Sequence, residues 1–248
     1  MITCEVCVEG FSGAAAAEKG GGHRIELCSG LIEGGTTPSF GTLSLVLERL
    51  SVETVVLLRP RGGDFLYTDE EFDTMLRDVE IVRNAGAYGV ATGVLTSDGQ
   101  IDVERFDRLI AAARPMSITC HRAFDMTRDP REAIETLIDL CVDRVLTSGQ
   151  QPSVPKGIEL IRELVDLAAG RISIMPGCGI DEGNVREIVE KTGVKEVHFT
   201  AFSHQDSGMT FRNPRPFMGG VELPGEFDLQ LTDPERVRGV VREVEGES

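Results

Sequence analysis

The chain has 248 residues, 41% of them hydrophobic, and a formal net charge of -16. That length suits one large α/β domain or two small ones. The acidic balance argues against nucleic acid, whose phosphates need a basic surface. No apolar run is long enough to span a bilayer, and no basic-then-apolar segment follows Met1, so a soluble cytoplasmic protein without a membrane partner is expected. Lysine is confined to Lys19, Lys156, Lys191 and Lys195, so the remaining cations are arginines. The six cysteines are irregularly spaced, which argues against a disulfide framework.

Gly, Pro and charged residues punctuate a regular alternation of strand and helix. Strands are expected over 2–8, 24–28, 54–58, 88–93, 116–121, 143–147, 171–175 and 195–200. Helices are expected over 12–20, 41–50, 69–84, 102–113, 130–141, 157–169 and 181–192. Thr68 before three acids, Asp129 before Pro130, and Asp181 read as helix starts, and Gly193 as a stop. Eight strands alternating with helices leave a closed TIM (β/α)8 barrel or an open doubly wound sheet. The length favours the barrel, as do unusual residues at the C-terminal end of nearly every strand. The expected organisation is one domain over 1–248, with 205–248 as a C-terminal extension packed on the barrel and a short helix after Thr232-Asp233-Pro234.

The first two strands carry Glu5-Val6-Cys7 and Glu26-Leu27-Cys28. Side chains alternate along a strand, so Glu5 shares a face with Cys7, and Arg24 and Glu26 with Cys28. Val6, Val8, Ile25 and Leu27 point the other way. If the strands are parallel neighbours, two thiols and two carboxylates converge near the C-terminal edge. The same rule splits Cys4 from Cys7, which discounts Cys4-x-x-Cys7 as a metal pair, and Cys141 at a helix end is read as packing. Adjacent strands lie about 4.8 Å apart, and two thiolates bridged linearly need sulfurs roughly 4.6 Å apart. In a reducing cytosol two soft thiolates favour Cu(I) over hard cations. Two buried, inert cysteines would explain the same residues.

After the third strand, Arg59-Pro60-Arg61-Gly62-Gly63-Asp64 suits anion capture, because arginine offers a planar donor fork and glycine admits close approach. The two arginines could equally neutralise Glu5, Glu26 or Asp64. The fifth strand ends in His121-Arg122-Ala123-Phe124-Asp125, with His121 a candidate general base or ligand if it faces the interior. The sixth ends at Ser148-Gly149, the seventh at Gly177-Cys178-Gly179, and the eighth carries His198 and Thr200. Gly-rich turns after strands seven and eight hold phosphate in many barrels, but Asp181 and Glu182 would oppose an anion here.

These stretches, together with Gly34-Gly35-Thr36-Thr37-Pro38-Ser39, Asp143-Arg144-Val145-Leu146-Thr147-Ser148-Gly149 and Ile174-Met175-Pro176-Gly177, resemble the CutC copper homeostasis proteins over about residues 2–245. The resemblance implies a TIM barrel, a cytoplasmic location, a homo-oligomer and a Cu(I) site at Cys7 and Cys28. Two residues depart from the family pattern: Cys178 stands where a glycine is usual, adding a third candidate thiol, and His23 stands where aspartate is frequent. An alternative reading is an enzyme acting on a small anionic metabolite. Glu5 or Glu26 would be acid or base, His121 a proton shuttle, Asp125 a further carboxylate, and Arg59, Arg61, Arg122 and Ser148 the ligand-binding groups.

Overall fold

The computed structural model describes residues 2–213, 215–216 and 225–246. Its main sheet has eight parallel strands, β1 (Thr3–Glu9), β2 (Arg24–Cys28), β3 (Glu53–Leu57), β4 (Gly89–Thr92), β5 (Ser117–Cys120), β6 (Arg144–Thr147), β7 (Ser173–Pro176) and β8 (Glu196–Phe199). Each pairs with its sequence neighbour from β1 to β7, and β8 returns to pair with β1. A parallel bridge between Gly177 and His198 joins the remaining edges, which makes the sheet a nearly closed TIM barrel. Gly177 permits that closure: a Cβ there would sit 2.5 Å from Leu146 Cδ1 and 3.0 Å from His198 Cδ2.

Helices follow each strand: α1 (Gly10–Lys19), α2 (Phe40–Arg49), α3 (Asp69–Ala85), α4 (Val103–Ala113), α5 (Pro130–Asp139), α6 (Val154–Ala168) and α7 (Val185–Thr192). Thr68 and Glu71 form a reciprocal capping box on α3, and Asp129 accepts the amides of Arg131 and Glu132 behind Pro130 on α5. Helix α6 starts three residues before the expected 157, because Pro155 suits a first turn, where its missing amide costs no intrahelical bond. Helix α7 starts four residues after the expected 181. Asp181 Oδ1 accepts the Gly183 amide, and the Asn184 side chain binds Asp181 N and Gly179 O, so 181–184 is a turn held by its own side chains.

The expected extension over 205–248 includes residues 214, 217–224 and 247–248, which lie outside the described residues. Beyond the expected elements, β9 (Phe202–Asp206) pairs antiparallel with β10 (Asp228–Thr232). Helix α8 (Pro234–Glu245) follows, capped by Asp233, and packs on α1, α7 and β1, where Val237 and Val240 are buried.

Strand alternation divides the core in two. Outward residues such as Val6, Val8, Ile25, Leu27 and Val56 meet the helices in one large apolar cluster, with Cys4 and Cys120 among them. Inside the barrel, Cys7, Cys28, Val55, Leu57 and Ala91 form a second, small cluster backed by Leu31. Cys141 is exposed and not packed. It follows the last turn of α5 at a positive φ of 57°, which turns the chain away from the helix face.

Candidate functional site

Strands β1, β2 and β8 bring the unusual residues together at the C-terminal mouth of the barrel. The register sets Cys7 beside Glu26, Glu9 beside Cys28 and Glu5 beside His198. Cys7 and Cys28 are therefore diagonal neighbours, with sulfurs 3.8 Å apart. One oxygen of Glu26, Oε2, lies 3.6 Å from Cys7 Sγ, 3.5 Å from Cys28 Sγ and 3.7 Å from His198 Nε2. Gly35 lets the following loop close over this group: its φ is +91°, and a Cβ would meet Leu57 at 2.6 Å and Cys28 Sγ at 3.7 Å.

Two residues further back along each strand, a buried charge network supports the group. His198 Nδ1 lies 2.8 Å from Glu5 Oε1, and Arg24 Nε donates to Glu5 Oε2 at 2.5 Å. Arg24 also pairs with Glu196, which takes Arg144 Nε at 2.6 Å and Ser173 Oγ at 2.7 Å. Arg24, Glu5 and Arg144 are 3%, 1% and 6% exposed, so these charges depend on each other and not on water.

The titrations follow from this packing. A hydrogen bond from the Cys28 thiol, with help from His198 and against burial, brings Cys7 down to about 5. Burial and the adjacent Cys7 push Cys28 well above the usual thiol range. Burial raises Glu26 to about 8 despite His198 beside it. Glu5 is buried too, but its bonds to His198 and Arg24 hold it near 2. Burial opposes a charge on His198, yet its contacts with Cys7 and Glu5 hold its pKa well above the ordinary value. The mouth thus carries one activated thiolate, one thiol and one carboxyl protonated at neutral pH.

Above the group lies a cavity of about 270 Å3, lined by Cys7, Glu26 and His198 on one side and by Arg59, Phe65, His121, Arg122, Asp125 and Leu146 on the other. The arginines of the β3 loop are committed to the protein. Arg59 donates to the carbonyls of Glu33, Gly35 and Gly63, each at 2.8 Å, and lies over Phe65, clamping two loops together. Arg61 lines no part of the cavity; it pairs with Glu71 at 2.6 Å and Asp64 at 3.0 Å and lies over Tyr67. His121 Nδ1 accepts the Ala123 amide, and its ring packs 5.1 Å from Phe65. Burial and the nearby Arg59 lower it to about 3, so it stays neutral.

Arg122, Asp125 and Ser148 form one hydrogen-bonded unit. Arg122 reaches Asp125 at 2.7 Å and Ser148 Oγ at 2.9 Å. Asp125 also accepts Thr147 Oγ1 and the amides of Ser148 and Gln150, which ties the β5 and β6 loops together. Cys178 lies outside the cavity lining, with its sulfur on the Pro152 carbonyl at 3.3 Å. Sequence reasoning assigned no role to His198, nor to Arg24, Glu196 and Arg144 as its support. The signal was present: Glu196 and His198 share a face, and closing the barrel puts that face beside Glu5.

Fold and site together define a TIM-barrel protein whose mouth holds a buried pocket of thiol, carboxylate and imidazole. The chain belongs to the CutC family, whose family model matches residues 2–203. The chain is 49% identical over 234 residues to a mouse (Mus musculus) protein called copper homeostasis protein cutC homolog, spanning 94% of this chain and 86% of that one. The human homologue of the same name is 48% identical over the same shares. The crystal structure of a CutC protein from Streptococcus agalactiae superposes with a TM-score of 0.76 at 33% identity, covering 80% of this chain and 98% of that one. Phosphoribosylanthranilate isomerase from Pyrococcus furiosus, at 14% identity and a TM-score of 0.56 over 99% of this chain and 100% of that one, shares the barrel alone.

Proposed function

We propose that this chain is a cytoplasmic copper homeostasis protein that binds Cu(I) through Cys7 and Cys28. The observation that carries this reading is the 3.8 Å spacing of two free sulfurs, Cys7 lining an open pocket and Cys28 buried beside it. The donors fit a soft ion: two sulfurs, with an imidazole and a carboxylate beside them, are a poor cage for Mg2+ or Ca2+, which take oxygen. The low pKa of Cys7 supplies one thiolate before any metal arrives. Such thiols need a reducing compartment, which supports the cytoplasm. The alternative of a small anionic metabolite finds room in the cavity. Its expected arginine clamp is less favoured, since Arg59 and Arg61 already give most of their donors to protein groups.

An ion that binds only the folded chain stabilises it by mass action, about 2.7 kcal/mol at 100 times the dissociation constant. Anaerobic urea unfolding with and without Cu(I) is expected to show a copper-dependent rise in midpoint for the native sequence. The rise is expected to vanish in Cys7→Ser/Cys28→Ser. An equal rise in that variant would mean that copper binds elsewhere.

A further inference from the structure

Cys7 and Cys28 account for two sulfurs, but not for a buried histidine beside them held by a chain of charges. We propose that His198 is a third ligand of the thiol site, through Nε2, and that Glu5 is the residue that positions it. The proposal rests on the metal-binding reading of the two thiols and adds a nitrogen donor to it.

Three observations carry it. First, both oxygens of Glu5 are fixed. Oε2 takes Arg24 Nε at 2.5 Å, and Arg24 is itself held by Glu196, which Arg144 and Ser173 fix in turn. Oε1 is left for His198 Nδ1 at 2.8 Å. A carboxylate held this way accepts a hydrogen bond from Nδ1–H and directs the other ring nitrogen away from itself, where a bound ion would displace the Nε2 proton. Ligating histidines ordinarily have such a partner on their second nitrogen.

Second, Nε2 points at the Cys7 and Glu26 side of the thiol pair. It is 3.7 Å from Glu26 Oε2, and ligand atoms of Cys7, Glu26 and His198 all lie within 4.8 Å of one another. Bonds of about 2.0–2.3 Å from one ion reach donors with such separations. Third, the sulfurs are too close for a linear bridge, which needs roughly 4.6 Å between them. At 3.8 Å, an ion touching both sulfurs lies off the line between them. Its coordination is then incomplete without another donor, and Nε2 and the Glu26 carboxyl flank the place where one is needed. His198 is only 7% exposed and has a polar neighbour at each nitrogen, so apolar packing does not explain it.

X-ray absorption on the full chain, loaded anaerobically with Cu(I) and separately with Cd(II) as a second thiophilic probe, reads the donor set directly. The expected spectrum has sulfur scattering plus the outer-shell pattern of one imidazole. His198→Asn keeps an N–H for Glu5 while deleting Nε2, and is expected to lose the imidazole pattern with its fold intact by circular dichroism. Glu5→Gln is expected to keep the pattern and weaken binding about 10–100-fold. An imidazole with Cd(II) but no copper bound would uphold the ligand and sink the copper reading. Sulfur-only coordination unchanged in His198→Asn would overturn the role of His198 and leave the thiol site standing. No binding of either ion would overturn both.

Discussion

Replacing Arg24 with methionine is expected to destabilise the chain by about 3–5 kcal/mol, the range for breaking a buried ion pair from one side. Arg24 is 3% exposed and holds two carboxylates, Glu5 and Glu196, inside the barrel. Glu196 keeps Arg144 and Ser173, but Glu5 is left with His198 alone. Methionine fills similar space without the charge, so the loss measures uncompensated carboxylate and not a cavity. Arg131→Met is the control. Its pair with Glu163 lies at the surface, with side chains 57% and 45% exposed, and such pairs contribute about 0–1 kcal/mol. For a chain of this size, the Arg24 variant is expected to melt roughly 10 °C lower. Adding Glu5→Gln to Arg24→Met is expected to restore part of the loss. Equal urea midpoints for the Arg24 and Arg131 variants would show that the barrel charges do not depend on one another.

Glu26→Gln is expected to do the opposite and stabilise the metal-free protein, by an amount that grows with pH. The folded-state pKa of Glu26 is raised to about 8, from an ordinary value of 4.5. The folded chain therefore retains a proton that the unfolded chain releases, and folding is penalised as pH rises from 4.5 towards 8. Each unit is worth 1.36 kcal/mol, so the penalty near pH 7 is on the order of 3 kcal/mol, all of it absent at pH 4. Glutamine does not titrate and escapes the penalty. Glu5 has the reverse sign: its folded pKa is depressed to about 2, so its contribution is present above 4.5 and lost as pH falls through 2. The two variants Glu26→Gln and Glu5→Gln should therefore separate in urea midpoints at pH 7, the first above the native chain and the second below it. A Glu26→Gln midpoint equal to native at both pH 5 and pH 8 would show that the carboxyl is not held protonated.

A carboxyl that weakens the fold at neutral pH, two residues from a thiol, is what a binding site costs. The same strand shows how much of this was legible in the sequence. Alternation alone turns Glu5 and Cys7 of β1, and Arg24, Glu26 and Cys28 of β2, towards the interior, and sends Val6, Ile25 and Leu27 to the helices, where they are found. Parallel pairing then makes the Cys7–Cys28 contact a matter of register. What alternation cannot give is the neighbour of β8. The expected barrel closure brings β8 beside β1, but the register that sets His198 beside Glu5 is non-local and no local pattern contains it.

The arginine loop admits two readings for a related reason, and Arg61 follows the pairing one through Asp64. Arg59 has the composition of an anion clamp, but its partners are backbone carbonyls of two loops, and those positions are fixed by the loop folds and not by residue type. Asp125, a further carboxylate by residue type, receives hydrogen bonds from Arg122, Thr147, Ser148 and Gln150 across the β5 and β6 loops. The β9–β10 pairing is not legible locally, because a long connection separates the strands and its Gly and Pro residues do not set a two-residue hairpin register.

Two diagonal strand-end thiols are expected to make one Cu(I) site. An anaerobic titration of Cu(I) against a competing chromophoric chelator, on the native chain and on Cys7→Ser, Cys28→Ser and Cys178→Ser, tests it most directly. One tightly held Cu(I) per native chain is expected, with that tight binding lost in either of the first two variants and retained in Cys178→Ser, whose sulfur sits on the Pro152 carbonyl, whereas Cys7 and Cys28 face each other at 3.8 Å. Native-like binding that survives removal of both Cys7 and Cys28, or a native chain that takes no copper from the chelator, would contradict it.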